Sequence, residues 1–151
     1  MVRITNTTQL STFSMVRNIL LANTILAKKF QLKDFYEFEP KHKSTSFSGF
    51  PYIWIDVPDT NEADNFLGEI IENKEFDIKI ILRMDYEARA NFSSYASIII
   101  SELTKSDSTF QASGYALESV KKINSDSILM DQKQLVEGEF ELILQGEVAI
   151  Q

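Results

Sequence analysis

The side chains able to do chemistry are few, and their spacing is loose. His42 is the single histidine of the chain and stands between Lys41 and Lys43 in a polar, small-residue-rich stretch, residues 40–49. A catalytic base or metal ligand needs a rigid position and an orienting partner. Neither is visible around His42, so it is expected as a solvated loop residue. Asp56, Asp59, Asn61, Glu62 and Asp64 supply enough oxygens for a hard cation such as Ca²⁺. The stretch lacks the glycine of an EF-hand loop and is constrained by Pro58, so a solvated acidic loop is the default and no metal is expected. Arg83, Asp85, Glu87 and Arg89 alternate in charge at a strand-to-helix corner, a pattern that surface ion pairs worth about 0–1 kcal/mol also produce. Tyr52, Trp54, Tyr86 and Tyr95 could line a ligand pocket, although sheet and helix core is the ordinary role of such aromatics.

Other constellations are missing. Gly49, Gly68, Gly114, Gly138 and Gly146 are scattered, so no phosphate-binding loop forms, and there is no Gly-x-Ser-x-Gly. The absence of cysteine excludes disulfides, thiolate metal sites and cysteine nucleophiles. No hydrolytic, redox or phosphoryl-transfer set emerges. The expectation is a protein that is not an enzyme and carries no cofactor.

The elements that position these residues follow from the patterning. At 151 residues, with 44% hydrophobic and 25% charged residues, the chain fits one globular domain. A net charge of −7 argues against binding nucleic acid by phosphate neutralisation. Arg3 is followed by no apolar h-region, and the longest apolar stretch, near Ile19 to Leu26, is too short to span a bilayer. No signal peptide and no membrane contact are expected.

Apolar positions Leu10, Phe13, Val16, Leu20 and Ile25 predict a helix over 8–29, bent or split at Asn23-Thr24. A short strand over 35–38 and a flexible loop over about 40–49 come next. Residues 50–57 are apolar on both parities and predict a strand covered on both faces, at the centre of the fold. Residues 59–73 read as a short helix or a structured loop. Phe76, Ile78, Ile80, Leu82, Met84 and Tyr86 alternate with mostly charged residues, which predicts a long strand with one buried face. It runs into a helix over about 88–105 with the stripe Phe92, Tyr95, Ala96, Ile99 and Leu103. A polar break over 106–113, a bent strand over 115–129, a turn over 131–138 and a last alternating strand complete the order. Two helices suffice to cover one face of a sheet. The fold class is therefore α+β, a single domain over 1–151 with a mostly antiparallel sheet.

That order, with "FPYIWIDVP", then "FDIKIILRMDY" passing into "ARANFSSYASIIISEL", then "VEGEFELILQGEVAI", resembles the tail-terminator and tail-completion (neck) proteins of tailed viruses and phages. The resemblance covers roughly residues 8–150 and rests on structural motifs. It implies a virion structural protein, usually a hexameric ring at the head-proximal end of the tail tube. Its partners would be other copies of itself, the tail-tube protein and the head–tail connector. It would be present in the virion tail or neck, and in the host cytoplasm during assembly. The long loop, with Lys41, His42, Lys43 and Phe47, would contact neighbouring rings. DNA would pass through the ring without specific binding, since like charge disfavours adsorption. The alternative reading is a small ferredoxin-like α+β adaptor that binds a peptide or small ligand near Trp54 and Tyr86.

Overall fold

The computed structural model describes residues 3–4, 6–58 and 70–150. Its order is β1 (Arg3–Ile4), α1 (Asn6–Leu21), α2 (Thr24–Lys29), β2 (Phe35–Tyr36), β3 (Tyr52–Asp56), β4 (Ile70–Asp85), α3 (Phe92–Thr104), α4 (Asp107–Ala112), β5 (Ala116–Met130) and β6 (Lys133–Ile150), with short 3₁₀ turns before β2 and α3. The fold is α+β, one sheet with helices on one side, as the patterning predicts.

The helix expected over 8–29 is two helices. Asn23 breaks it: its side-chain oxygen accepts hydrogen bonds from the Ile25 and Leu26 backbone N–H groups and caps α2. That is the local bonding by which asparagine starts helices better than it continues them.

Sheet order is β1-β6-β4-β3-β2, with β5 on β6. The long pairings, β3–β4, β4–β6 and β5–β6, are antiparallel, while the two-residue strands β1 and β2 pair parallel. The sheet centre is β4 and β6, of 16 and 18 residues. β3 lies between β4 and the border strand β2, which corrects its expected central place. Its apolar character on both parities has another cause. Ile53 and Ile55 enter the helix-side core, and Tyr52 is fully buried on the opposite face beneath a loop.

Other boundaries also move. Residues 70–73 belong to β4 and are neither helix nor loop, while 59–69 lie outside the described residues. The polar break over 106–113 contains α4, whose Phe110 is fully buried. The turn expected over 131–138 is confined to Asp131 and Gln132, both at positive φ, where the left-handed conformation of a tight hairpin is needed.

The main core lies between the sheet and the helices. Phe13, Val16 and Leu20 of α1, with Tyr95, Ile99 and Leu103 of α3, pack on Ile53, Ile55, Ile78, Ile80, Leu82, Phe140 and Leu142. The expected inward parity of β4 is correct. Gly138 of β6 stands opposite Leu82. A Cβ there would come within 2.5 Å of the Phe92 ring, so glycine is required for α3 to seat on the sheet.

Candidate functional site

The opposite face of the sheet carries the polar residues. Antiparallel register sets Tyr52 of β3 beside Arg83 of β4, and Arg83 beside Glu137 of β6. Arg83 is 6% exposed. Its Nε donates to Glu137 Oε1 at 2.7 Å, Nη1 to the Tyr52 oxygen at 2.7 Å, and Nη2 to Glu39 Oε2 at 2.8 Å. Burial works against the guanidinium charge. Its bonds to Tyr52, Glu137 and Glu39 outweigh that, so its pKa lies above the ordinary arginine value. The expected surface charge cluster at 83–89 is thus divided. Arg83 is a buried hub, Asp85 pairs with Lys133 at 2.7 Å, and Arg89 lies over the Tyr86 ring at 4.1 Å.

The expectation of a solvated His42 is corrected here. Its side chain is 8% exposed, stacked on Phe47 at 4.8 Å between ring centroids and edge-on to Phe50 at 5.0 Å. Nε2 lies 2.8 Å from the Tyr52 oxygen, and Nδ1 lies 3.3 Å from Asp131 Oδ2. Arginine only donates, so the Tyr52 oxygen accepts from Arg83 and its own O–H is available to His42 Nε2. In neutral imidazole the remaining proton then sits on Nδ1, facing Asp131, a tautomer assigned from its partners. The loop has further anchors. Ser48 Oγ donates to Asp34 Oδ1 at 2.9 Å, and the Ser48 N–H donates to the Tyr36 oxygen.

The order Asp131, His42, Tyr52 has the form of a hydroxyl-activating relay. Its environment gives it another role. Tyr52 has no exposed surface, and burial pushes its pKa up to about 12 despite the opposing bond from Arg83. A substrate cannot reach this oxygen, and it remains a phenol at neutral pH. The network fastens loop 40–49 and the β5–β6 turn to the sheet. Sequence reasoning missed Glu39, Asp131 and Glu137 as its members, because they meet only through strand register and a loop that folds back.

Other expected site residues are dispersed. Lys41 and Lys43 are exposed and Phe47 is partly buried. Asp56 is exposed, while Asp59, Asn61, Glu62 and Asp64 lie outside the described residues. Among the described residues no cluster of three acidic or histidine side chains could hold a metal. Tyr95 is core, and Trp54 is partly buried beside Arg83. A cleft of about 370 Å³ is lined by Asp85, Tyr86, Glu87, Gln132, Lys133 and Gln134. Trp54, expected beside Tyr86, does not line it.

No helix among the described residues is long and apolar enough to cross a membrane. The chain matches no protein-family model, and no curated protein is significantly similar to it.

Proposed function

We propose that this chain is a virion structural subunit of the tail-terminator or tail-completion type. Copies assemble head-to-tail into a ring, usually a hexamer, at the head-proximal end of a tail tube. The observation that carries the reading is the placement of exposed apolar side chains. Among the described residues the large exposed ones are Ile25, Leu32, Phe38, Ile123 and Leu129. The first three lie on the segment that runs into and out of border strand β2. The last two lie on β5, at the other border of the sheet. A closed ring of identical subunits needs two different surfaces on opposite sides of each copy, whereas a twofold dimer needs one self-complementary patch.

The element order, with a long strand leading into α3 and a closing β-hairpin, is in keeping with this reading. Loop 40–49, with Lys41, His42, Lys43 and Phe47, would face a neighbouring ring, the tail-tube protein or the connector. An acidic ring would let DNA pass without adsorbing it. Negative-stain imaging and protein analysis of purified particles test the proposal. A ring at the tail–neck junction containing this chain is expected, and particles lacking the chain would contradict it.

The cleft beside Tyr86 favours a second reading, a small adaptor that binds a peptide or small ligand. A broad thermal-shift screen without a single hit would remove it.

A further inference from the structure

Charge is segregated on this molecule. The sheet face opposite the helices carries Glu75, Asp77, Glu118, Glu139 and Glu141 against Lys79 and Lys121. Neighbouring strands bring carboxylates together on it. Glu75 stands beside Glu118 and Glu141 beside Asp77, and in each case the neighbouring carboxyl raises the pKa above its ordinary value. Among the described residues none of these five acids lies within ion-pair distance of a cation. Exposed lysines collect on the segment bordering β2, whose acids are Asp34 (bonded to Ser48), Glu39 (paired with Arg83) and Glu37. Lys28 and Lys29 of α2, Lys33 of the following 3₁₀ turn, and Lys41 and Lys43 of the loop are all exposed. None of them has a carboxylate partner among the described residues. One third of the fifteen Lys and Arg residues of the chain thus fall within 28–43.

We propose that the lysines of residues 28–43 of one copy dock on the acidic sheet face of a second copy, at its β5 side. This deepens the ring reading above, on which it rests, and moves Lys41 and Lys43 from the contact with a neighbouring ring to the contact between copies within one ring. The two surfaces differ in chemistry and in place, the lysines along the β2 border and the acids on β4, β5 and β6, so the contact is head-to-tail. The apolar residues fall into the same two places. Ile25, Leu32 and Phe38 share the lysine segment, and Ile123 and Leu129 share the strand carrying Glu118 and Lys121. An apolar centre within a charged rim is the ordinary composition of a protein interface. Charge complementarity would select the register and the partner. The His42 network holds Lys41 and Lys43 in place before the neighbour arrives, which lowers the ordering cost of docking.

The test uses two charge-reversed full-length chains, Lys41→Glu with Lys43→Glu, and Asp77→Lys with Glu141→Lys. Each is measured alone and in equimolar mixture by sedimentation velocity, with folding confirmed by circular dichroism. The wild type is expected to assemble at about 50 mM salt and to dissociate near 500 mM, where the screening length shrinks to a few ångströms. Each variant alone is expected to weaken self-association at least tenfold. The mixture is expected to regain assembly, because each reversed surface then meets its complement on the other chain. Variants that assemble as the wild type does, a mixture that stays monomeric, or a wild type monomeric at every salt would each overturn the inference. A wild type that assembles while the variants behave as it does would overturn the docking surfaces and leave the ring reading standing, whereas a wild type monomeric at every salt would overturn both.

Discussion

The imidazole Nε2 of His42 lies 2.8 Å from the phenol oxygen of Tyr52, joining a loop residue to a fully buried strand residue ten positions away. The contact makes loop 40–49 part of the folded body. His42→Ala should cost about 1–2 kcal/mol, the value of a partly buried hydrogen bond with its ring contacts. It should also speed hydrogen exchange over 42–48 while leaving β4 and β6 protected. Urea unfolding and exchange mass spectrometry check this. Unchanged exchange in the loop would show that His42 does not hold it.

Tyr52 should be recognisable by its titration. The folded phenol ionises near pH 12, above the usual 10, because burial disfavours the phenolate. A folded-state pKa above the unfolded one means that the native state binds the proton more tightly. This stabilisation is fully present below about pH 10 and is lost as pH rises towards 12. Burial also raises the Tyr115 phenol, so ultraviolet titration should show late phenolate absorbance from both residues, and Tyr52→Phe should lower its amplitude while Tyr115 keeps its share. A variant with the full late amplitude would contradict the assignment.

Gly138 makes room for the Phe92 ring at the start of α3. Gly138→Ala should destabilise the fold by about 1–3 kcal/mol through overpacking, read as a lower urea midpoint. A neutral or stabilising change would mean that Phe92 moves aside freely.

The Glu75–Glu118 contact sets two like charges together at the surface. Because the Glu75 pKa is raised in the folded state, stability should fall as pH rises through the carboxylate range. Glu75→Gln should raise the melting temperature at neutral pH and flatten that dependence. A lower melting temperature for the variant at pH 7 would contradict the account.

Ile80 points into the helix-side core of β4 with no exposed surface. Ile80→Ala should cost about 2–5 kcal/mol. A loss below about 1 kcal/mol would reverse the assignment of the two faces.

Much of the fold is legible in the sequence, because helix and strand periodicities are local. The alternation from Phe76 to Met84 gives β4 its buried face, and the stripe from Phe92 to Leu103 gives α3 its own. The candidate site is less legible. His42 is flanked by lysines, serines and threonine, so its surroundings in the sequence read as solvent. Its partners Tyr52 and Asp131 arrive from 10 and 89 positions away. Arg83 looks like one charge of an alternating surface row. Its burial depends on Tyr52, Glu137 and Glu39 closing around it, and that needs sheet register and loop path. Asp131 and Gln132 hide the hairpin turn because neither is glycine, although both adopt positive φ.

The central claim is that this chain self-assembles head-to-tail into a ring. Its most direct test is the mass of the purified wild-type protein in solution at low salt and high concentration, measured by sedimentation velocity. The account predicts a closed oligomer of defined size, near six copies, that salt disperses. A protein that remains monomeric across the whole concentration range, or stops at a twofold dimer, would contradict it.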